Sequence, residues 1–176
     1  VREFSDFNEY VAAYQAGLSA AFNFSPTQEL VLQVTNFRSG EDEDMYVYGR
    51  PAEIAKAKVP VITTLNWNGL FADKALQFRY AASWGQQAEG RNILYLTAAN
   101  VYEKGPVIAY LDVMYSRQGL DTHCIISDMQ GPIVENPVTA QHTEYLSFIA
   151  DFDYRFHPHW NAYIKGAYET AGVYKT

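Results

Sequence analysis

The sequence predicts an all-β protein, built as an antiparallel up-and-down transmembrane β-barrel. Two observations predict this class. Apolar and polar residues alternate along eight segments, and the breaks between these segments alternate between short and long. Alternation with a period of two places apolar side chains on one face of a strand and polar side chains on the other. Alternating connection lengths are typical of outer-membrane barrels, which have tight turns on one side of the membrane and longer loops on the other.

The clearest example is the hairpin over residues 143–174, which is broken once, at His157-Pro158-His159. Its first arm carries one apolar set of side chains: Leu146, Phe148, Ala150, Phe152, Tyr154 and Phe156. Its second arm continues with Trp160, Ala162, Ile164, Gly166 and Tyr168. Both arms are long enough to cross a membrane as tilted strands.

The same alternation defines six earlier strands, predicted over residues 9–24, 29–35, 59–68, 76–84, 92–102 and 107–116. In the fifth of these, both faces are apolar enough that the pattern does not assign the phase. Long loops are predicted over residues 38–58 and 117–142, with a helical turn over residues 51–58 in the first. A connection of medium length is predicted over residues 86–90.

Composition limits the function classes. The formal net charge of −7 argues against nucleic-acid binding, which needs a basic face. Aromatic residues make up 15% of the chain, and the 14 tyrosines suit membrane interfaces. No run of 18 apolar residues predicts a transmembrane helix, but barrel strands give a weaker hydropathy signal. Cys124 is the single cysteine, so there is no intrachain disulfide framework.

Charged residues fix which face of the predicted strands meets lipid. A lysine or arginine facing lipid at the bilayer midplane costs about 2–4 kcal/mol, so the parity that carries charges must face the lumen. The residues predicted to line the pore on this basis are Arg79, Asp112, Asp151, Asp153, Arg155, Lys165 and Glu169. Aromatic residues cluster towards strand ends, where an interfacial girdle is expected: Phe22, Phe24, Trp67, Trp84, Tyr115, Tyr154, Phe156, Trp160 and Tyr168.

Two alternatives remain open at this stage. A soluble barrel of the lipocalin kind has the same periodicity, buries the apolar face around a ligand and exposes the charges. The uneven connections, low charge density and clustered aromatics favour the membrane barrel over it. A structural or complex-forming membrane barrel is the other alternative, with its lumen closed by ion pairs such as Arg155 with Asp153 or Lys165 with Glu169.

The predicted topology places both ends of the chain on the side of the long loops. Complete outer-membrane barrels normally keep both termini on the opposite, periplasmic side, and Val173-Tyr174-Lys175-Thr176 lacks their terminal aromatic residue. We therefore expect residues 1–176 to be a single barrel domain that is part of a longer chain. Because bacterial barrels have even strand numbers, the whole barrel would contain ten or more strands.

No motif for catalysis, cofactor binding or metal binding is present. His157 and His159 flank a proline and are better explained by a tight turn than by a metal site. His123 and Cys124 are adjacent but have no identifiable partner ligands. The acidic run over residues 41–44 predicts a solvated loop rather than a cation site. We therefore expect neither an enzyme nor a bound cofactor.

Three segments resemble the phosphate-selective porin O and P superfamily. They are residues 67–80 with the Trp-Asn-Gly-Leu-Phe run, residues 110–116, and the N-terminal unit from Tyr14 through Phe37. The resemblance implies a sixteen-stranded, trimeric porin in the outer membrane of a Gram-negative bacterium, in contact with lipid and small solutes.

Phosphate-selective members carry many lysines and arginines along the pore, as cationic rings that select anions do. The charges here are of mixed sign. The sequence therefore predicts a passive channel for small hydrophilic or anionic solutes.

Overall fold

The alternating segments form the strands of one antiparallel sheet. The computed structural model describes residues 16–36, 55, 57–120 and 142–173. In these residues each strand pairs with the next along the chain, in the order β1 to β8. The bounds are β1 Gly17–Ser25, β2 Gln28–Asn36, β3 Val61–Phe71, β4 Leu76–Ala88, β5 Arg91–Lys104, β6 Val107–Gln118, β7 Thr143–His157 and β8 Trp160–Val173. The prediction of an all-β, up-and-down antiparallel fold is confirmed, and the sheet is open because β1 and β8 do not pair with each other within the described residues.

Four short turns lie at one end of the sheet, which we call the short-turn end. They connect β1 to β2, β3 to β4, β5 to β6 and β7 to β8 within the described residues. Residues 72–75 form the second of these turns. Three successive residues in it, Ala72, Asp73 and Lys74, have positive φ values of 51°, 55° and 72°. The opposite end carries the connections of residues 37–60 and 119–142, together with the two-residue turn between β4 and β5, and we call it the long-connection end.

The medium connection expected over residues 86–90 is wrong. β4 continues to Ala88, and the turn to β5 consists of Glu89 and Gly90 alone. Gly90 has a φ of 67°, which a tight hairpin requires and glycine adopts without steric cost. The polar residues before it suggested a loop, but the strand accommodates them with a bulge between Gln86 and Ala88.

Several other expectations fall wholly or partly on residues outside the described ones. β1 is described from Gly17, so residues 9–15 of the predicted first strand lie outside. The acidic run, the pair His123 and Cys124, and most of the predicted helical turn over residues 51–58 also lie outside. No helix in the described part of the chain is long and apolar enough to cross a membrane.

The two faces of the sheet differ in chemistry. We call the side that carries Leu32, Leu65 and Leu111 the apolar face, and the opposite side the polar face. Pairing assigns the phase of β5, because Tyr95 lies between Ser83 and Ser116 on the polar face. Large hydrophobic side chains are exposed along the apolar face, including Leu18, Phe22, Leu32, Trp84, Leu111, Phe148, Phe152, Ile164 and Tyr168.

Exposure of this face does not favour the lipocalin-like arrangement, in which the apolar side chains would fill the interior. From Val107 to Arg117, ten steps of ~3.3 Å at a tilt of about 40° rise roughly 25 Å, the height of the apolar band of outer-membrane barrels. The apolar face therefore has the dimensions of a lipid-facing surface.

An aromatic cluster on the apolar face fixes the β3–β4 hairpin at the short-turn end. Phe78 is buried at its centre, with the rings of Trp67, Phe71 and Tyr80 at centroid distances of 5.0, 5.1 and 4.9 Å. Phe78 covers Gly69, its partner on β3, where an added Cβ would lie only 2.5 Å from the ring. The ring therefore occupies the space that the missing side chain leaves.

The outer rings of this cluster keep polar contacts. Trp67 donates its Nε1 hydrogen to Gln28 Oε1 at 3.1 Å, and the Tyr80 hydroxyl donates to Asn100 Oδ1 at 2.9 Å. Aromatic side chains with one apolar and one polar part suit the boundary between lipid and water. Trp67 is the member of this cluster that the sequence analysis assigned to an interfacial girdle.

We expect Gly69→Ala to lower the free energy of unfolding in lipid by about 1–3 kcal/mol, because overpacking displaces the Phe78 ring. Gly166→Ala is the matched control. It lies on the same face of β8 with no atom within 4 Å of an added Cβ, and its effect should stay within about 0.5 kcal/mol. Urea unfolding in vesicles measures both, and equal midpoints for the two variants would contradict the packing of Phe78 over Gly69.

Candidate pore-lining surface

The polar face consists of rows of residues that lie side by side across the strands. One row, near the short-turn end, contains Glu29, Asn68, Arg79, Ala99, Asp112, Ile149 and Ala167. Neighbouring strands are about 4.8 Å apart, so residues in one row are the nearest that adjacent strands offer each other. The register decides which charges meet.

Six of the seven residues predicted to line the pore share the polar face. Arg79 and Asp112 lie in the same row, separated by Ala99. Asp151 lies directly opposite Lys165, so a negative and a positive residue face each other across β7 and β8. Asp153 on β7 and Glu169 on β8 lie on the same polar face as Asp151 and Lys165.

Arg155 is placed differently from the other six. The regular β7–β8 pairing is interrupted between Tyr154 and His157, and Arg155 falls in that irregular stretch. Its backbone N–H donates to the Pro106 carbonyl at 2.8 Å, which places it beside the β5–β6 turn. Arg155 is therefore a residue of the short-turn rim rather than a member of a row.

The ion pairs expected for a closed lumen, Arg155–Asp153 and Lys165–Glu169, do not form among the residues that the structure describes. Asn161 Nδ2 donates to both carboxylate oxygens of Asp153, at 3.0 and 2.8 Å. The Ser147 hydroxyl donates to Glu169 Oε1 at 3.1 Å. Neutral side chains hold these two carboxylates.

Two residues near Arg79 were missed by the sequence analysis as members of this surface. Glu29 and Asn68 lie in the Arg79 row, and Asn68 Nδ2 donates to Glu29 Oε1 at 3.0 Å. The turn over residues 72–75 sets the β3–β4 register and so pairs Asn68 with Arg79. The pairing of Glu29 with Asn68 spans the long connection between β2 and β3, so no turn length in the sequence predicts it.

A pocket of about 500 Å³ opens on the polar face at the short-turn end. Its wall includes Glu29, Asn68 and Arg79, together with Asn23, Gln77, Leu70, Ala99 and Val101. The Arg79 side chain is exposed and makes no hydrogen bond or ion pair with the described part of the chain. The guanidinium is therefore available to a solute in this pocket.

The polar face changes in character along the strands. Towards the long-connection end its side chains are buried, and they are mostly small or hydroxyl-bearing: Ile93, Tyr95, Ser116, Gln118, Thr143, Tyr145 and Ser147. Gln118 Nε2 donates to Ser116 Oγ at 3.4 Å. The charged positions lie mainly nearer the short-turn end, so the open and charged part of the surface is at that end.

Charges reappear on the apolar face at the long-connection end. Arg117 and Glu144 are directly opposite each other on β6 and β7, with Nε to Oε1 at 3.5 Å. The Tyr115 hydroxyl also donates to Glu144 Oε1, at 3.2 Å. Both charged side chains are partly exposed, so we assign this pair at most about 1 kcal/mol and regard it as the upper limit of the apolar band.

His142 lies outside the spanning strands, just before β7. Arg91 Nη1 donates to its Nε2 at 3.2 Å. Burial lowers the pKa of His142 below its ordinary value of 6.5, and the positive charges of Arg91 and Arg117 lower it further. Neutral His142 therefore contributes stability that is present above pH 6.5 and is lost as the pH falls below that value towards the folded-state pKa.

We expect Arg117→Gln to raise the pKa of His142 towards 6.5, because one of the two neighbouring positive charges is removed. Titration of the His142 ring protons by NMR measures the change. Arg79→Gln removes the same charge from the opposite face and should leave the His142 titration unchanged. An equal shift in both variants would show that the effect is not local.

The family model for phosphate-selective porin O and P matches residues 2–176. No curated protein and no solved structure matches the chain. Among the described residues, no group of three or more His, Cys, Asp or Glu side chains is arranged to hold a metal ion. With an open antiparallel sheet, an exposed apolar face and a charged opposite face, the chain belongs to the phosphate-selective porin O and P family of bacterial outer-membrane channels.

Proposed function

We propose that this chain forms part of the wall of a passive diffusion channel for small hydrophilic or anionic solutes. The sidedness of the sheet is the observation that carries the proposal. Charged residues such as Arg79 and Asp112 share one face, and the opposite face exposes large apolar side chains. A sheet with this division has its lowest free energy with lipid on one side and water on the other.

The open edges of the sheet support a larger barrel. In hydrocarbon, each unpaired backbone N–H or C=O costs several kcal/mol, so a spanning sheet must close. β1 and β8 each have one unpaired edge within the described residues. We propose that further strands complete a barrel of about sixteen, and that such barrels associate as trimers or within a membrane complex.

The orientation follows from the connections. Outer-membrane barrels have short turns on the periplasmic side and longer loops outside. The short-turn end, with the pocket beside Arg79, would therefore face the periplasm. The chain would contact outer-membrane lipid through the apolar face.

We propose that Arg79, Asp112, Asp151, Asp153, Lys165 and Glu169 line the pore, with Arg155 at its periplasmic rim. Three of these seven residues are positive and four are negative. Rings of one sign select ions strongly, whereas mixed charges set a transverse field with weak net preference. These residues therefore favour a general channel over one specific for phosphate.

Planar-bilayer recordings of the purified porin test this proposal, with reversal potentials measured in a salt gradient. We expect discrete conductance steps. Arg79→Gln should shift the anion-to-cation permeability ratio roughly fivefold towards cations, because a unit charge ~8 Å away through water contributes about 0.5 kcal/mol, with opposite signs for anions and cations.

Arg117→Gln is the matched control for Arg79→Gln. It removes the same charge from the apolar face, and the permeability ratio should stay unchanged. Identical reversal potentials in the two variants would contradict a pore-lining Arg79. Absence of any conductance in folded protein would contradict the channel itself.

A further inference from the structure

The row at the short-turn end places opposite charges on either side of one amide. Glu29, Asn68 and Arg79 lie side by side on β2, β3 and β4. The Asn68 side chain donates a hydrogen bond to Glu29, and the Arg79 side chain makes no hydrogen bond or ion pair with the described residues. The two charged groups are thus close enough to act on one small solute, yet they do not neutralise each other.

The spacing of the row suits a particular class of molecule. Glu29 and Arg79 are two strand spacings apart, or about 9.6 Å between backbones. The long Glu and Arg side chains project from the same face and can converge on the oppositely charged groups of a small solute, which an α-amino acid carries on one carbon. A solute of this kind can contact both side chains at once.

The rest of the pocket suits the remainder of such a solute. Leu70, Ala99 and Val101 supply apolar wall, and the amides of Asn23 and Gln77 supply hydrogen-bonding groups. The volume of about 500 Å³ leaves room for an aliphatic side chain and for water.

We propose that Glu29, Asn68 and Arg79 form a binding subsite for small zwitterions of the α-amino acid type. This proposal rests on the channel function proposed above, and it names a solute class for one part of the lumen. Arg79 binds the carboxylate, and Glu29, oriented by Asn68, binds the ammonium group.

Electrostatics gives the subsite its selectivity. A simple anion is attracted by Arg79 and repelled by Glu29. A simple cation is attracted by Glu29 and repelled by Arg79. A zwitterion is attracted at both ends, so discrimination uses repulsion as well as attraction. This is a different arrangement from a ladder of positive residues.

The test uses three probes with the same isobutyl side chain in single-channel recordings: leucine, N-acetylleucine and leucinamide. Leucine is zwitterionic, N-acetylleucine is an anion and leucinamide is a cation. We expect leucine to reduce the open-channel current at a half-blocking concentration about tenfold below those of the other two, because each of them loses one charge-assisted hydrogen bond.

Variants assign the effect to residues. Glu29→Gln and Arg79→Gln should each raise the half-blocking concentration of leucine about tenfold. Glu103→Gln is the matched control, since Glu103 lies at the same end of the sheet on β5 and is not part of the pocket wall. Glu103→Gln should leave the half-blocking concentration of leucine unchanged.

Three results would overturn the subsite. Channels that conduct normally but show no leucine block would refute it and leave the channel function intact. Equal block by leucine and N-acetylleucine that is insensitive to Glu29→Gln would show a plain anion site. If the folded protein does not conduct, the channel function fails. Equilibrium dialysis of labelled leucine then decides the subsite separately. Retention that Glu29→Gln abolishes supports the subsite, and no retention overturns it.

Discussion

The constraint on which this structure depends is that backbone polar groups find no partners in hydrocarbon. Each strand must therefore pair along its length with both neighbours, and only a closed sheet meets this condition in a membrane. Within the described residues, β2 to β7 already have two partners each. Pairing of consecutive strands by short turns is the simplest way to satisfy the condition, and it explains why the sequence is a series of hairpins.

Strict pairing has a consequence for the side chains. Because the side-chain period is two, a slip of one residue would exchange the apolar and polar faces, which would move Arg79 and Lys165 into lipid. Packing adds to this constraint at the β3–β4 hairpin. Phe78 fits over Gly69 only in the observed register, since every other residue in that part of β3 has a side chain. The aromatic cluster thus aligns the rows on the opposite face.

The sequence was sufficient for the fold class and for most strands, because alternation over ten residues is a strong signal. It failed at Gln86 to Gly90, where polar residues and a glycine suggested a loop although β4 continues through them. It did not give the phase of β5 either, since Tyr95 and Leu96 are both apolar in character. Pairing with β4 and β6 decides that phase. In both cases the information lies in neighbouring strands rather than in the segment itself.

The candidate site shows the same dependence on neighbours. Alternation alone identified Arg79 and Asp112 as residues of one face, but it does not say that they share a row. The row places Arg79 between two carboxylates, each two strands away: Glu29 on one side and Asp112 on the other. The two carboxylates differ. Asp112 has other contacts in the structure and is not in the pocket wall, whereas Glu29 is part of that wall. The pocket therefore brings Arg79 together with Glu29 and not with Asp112, and this charge pattern depends on register as much as on composition.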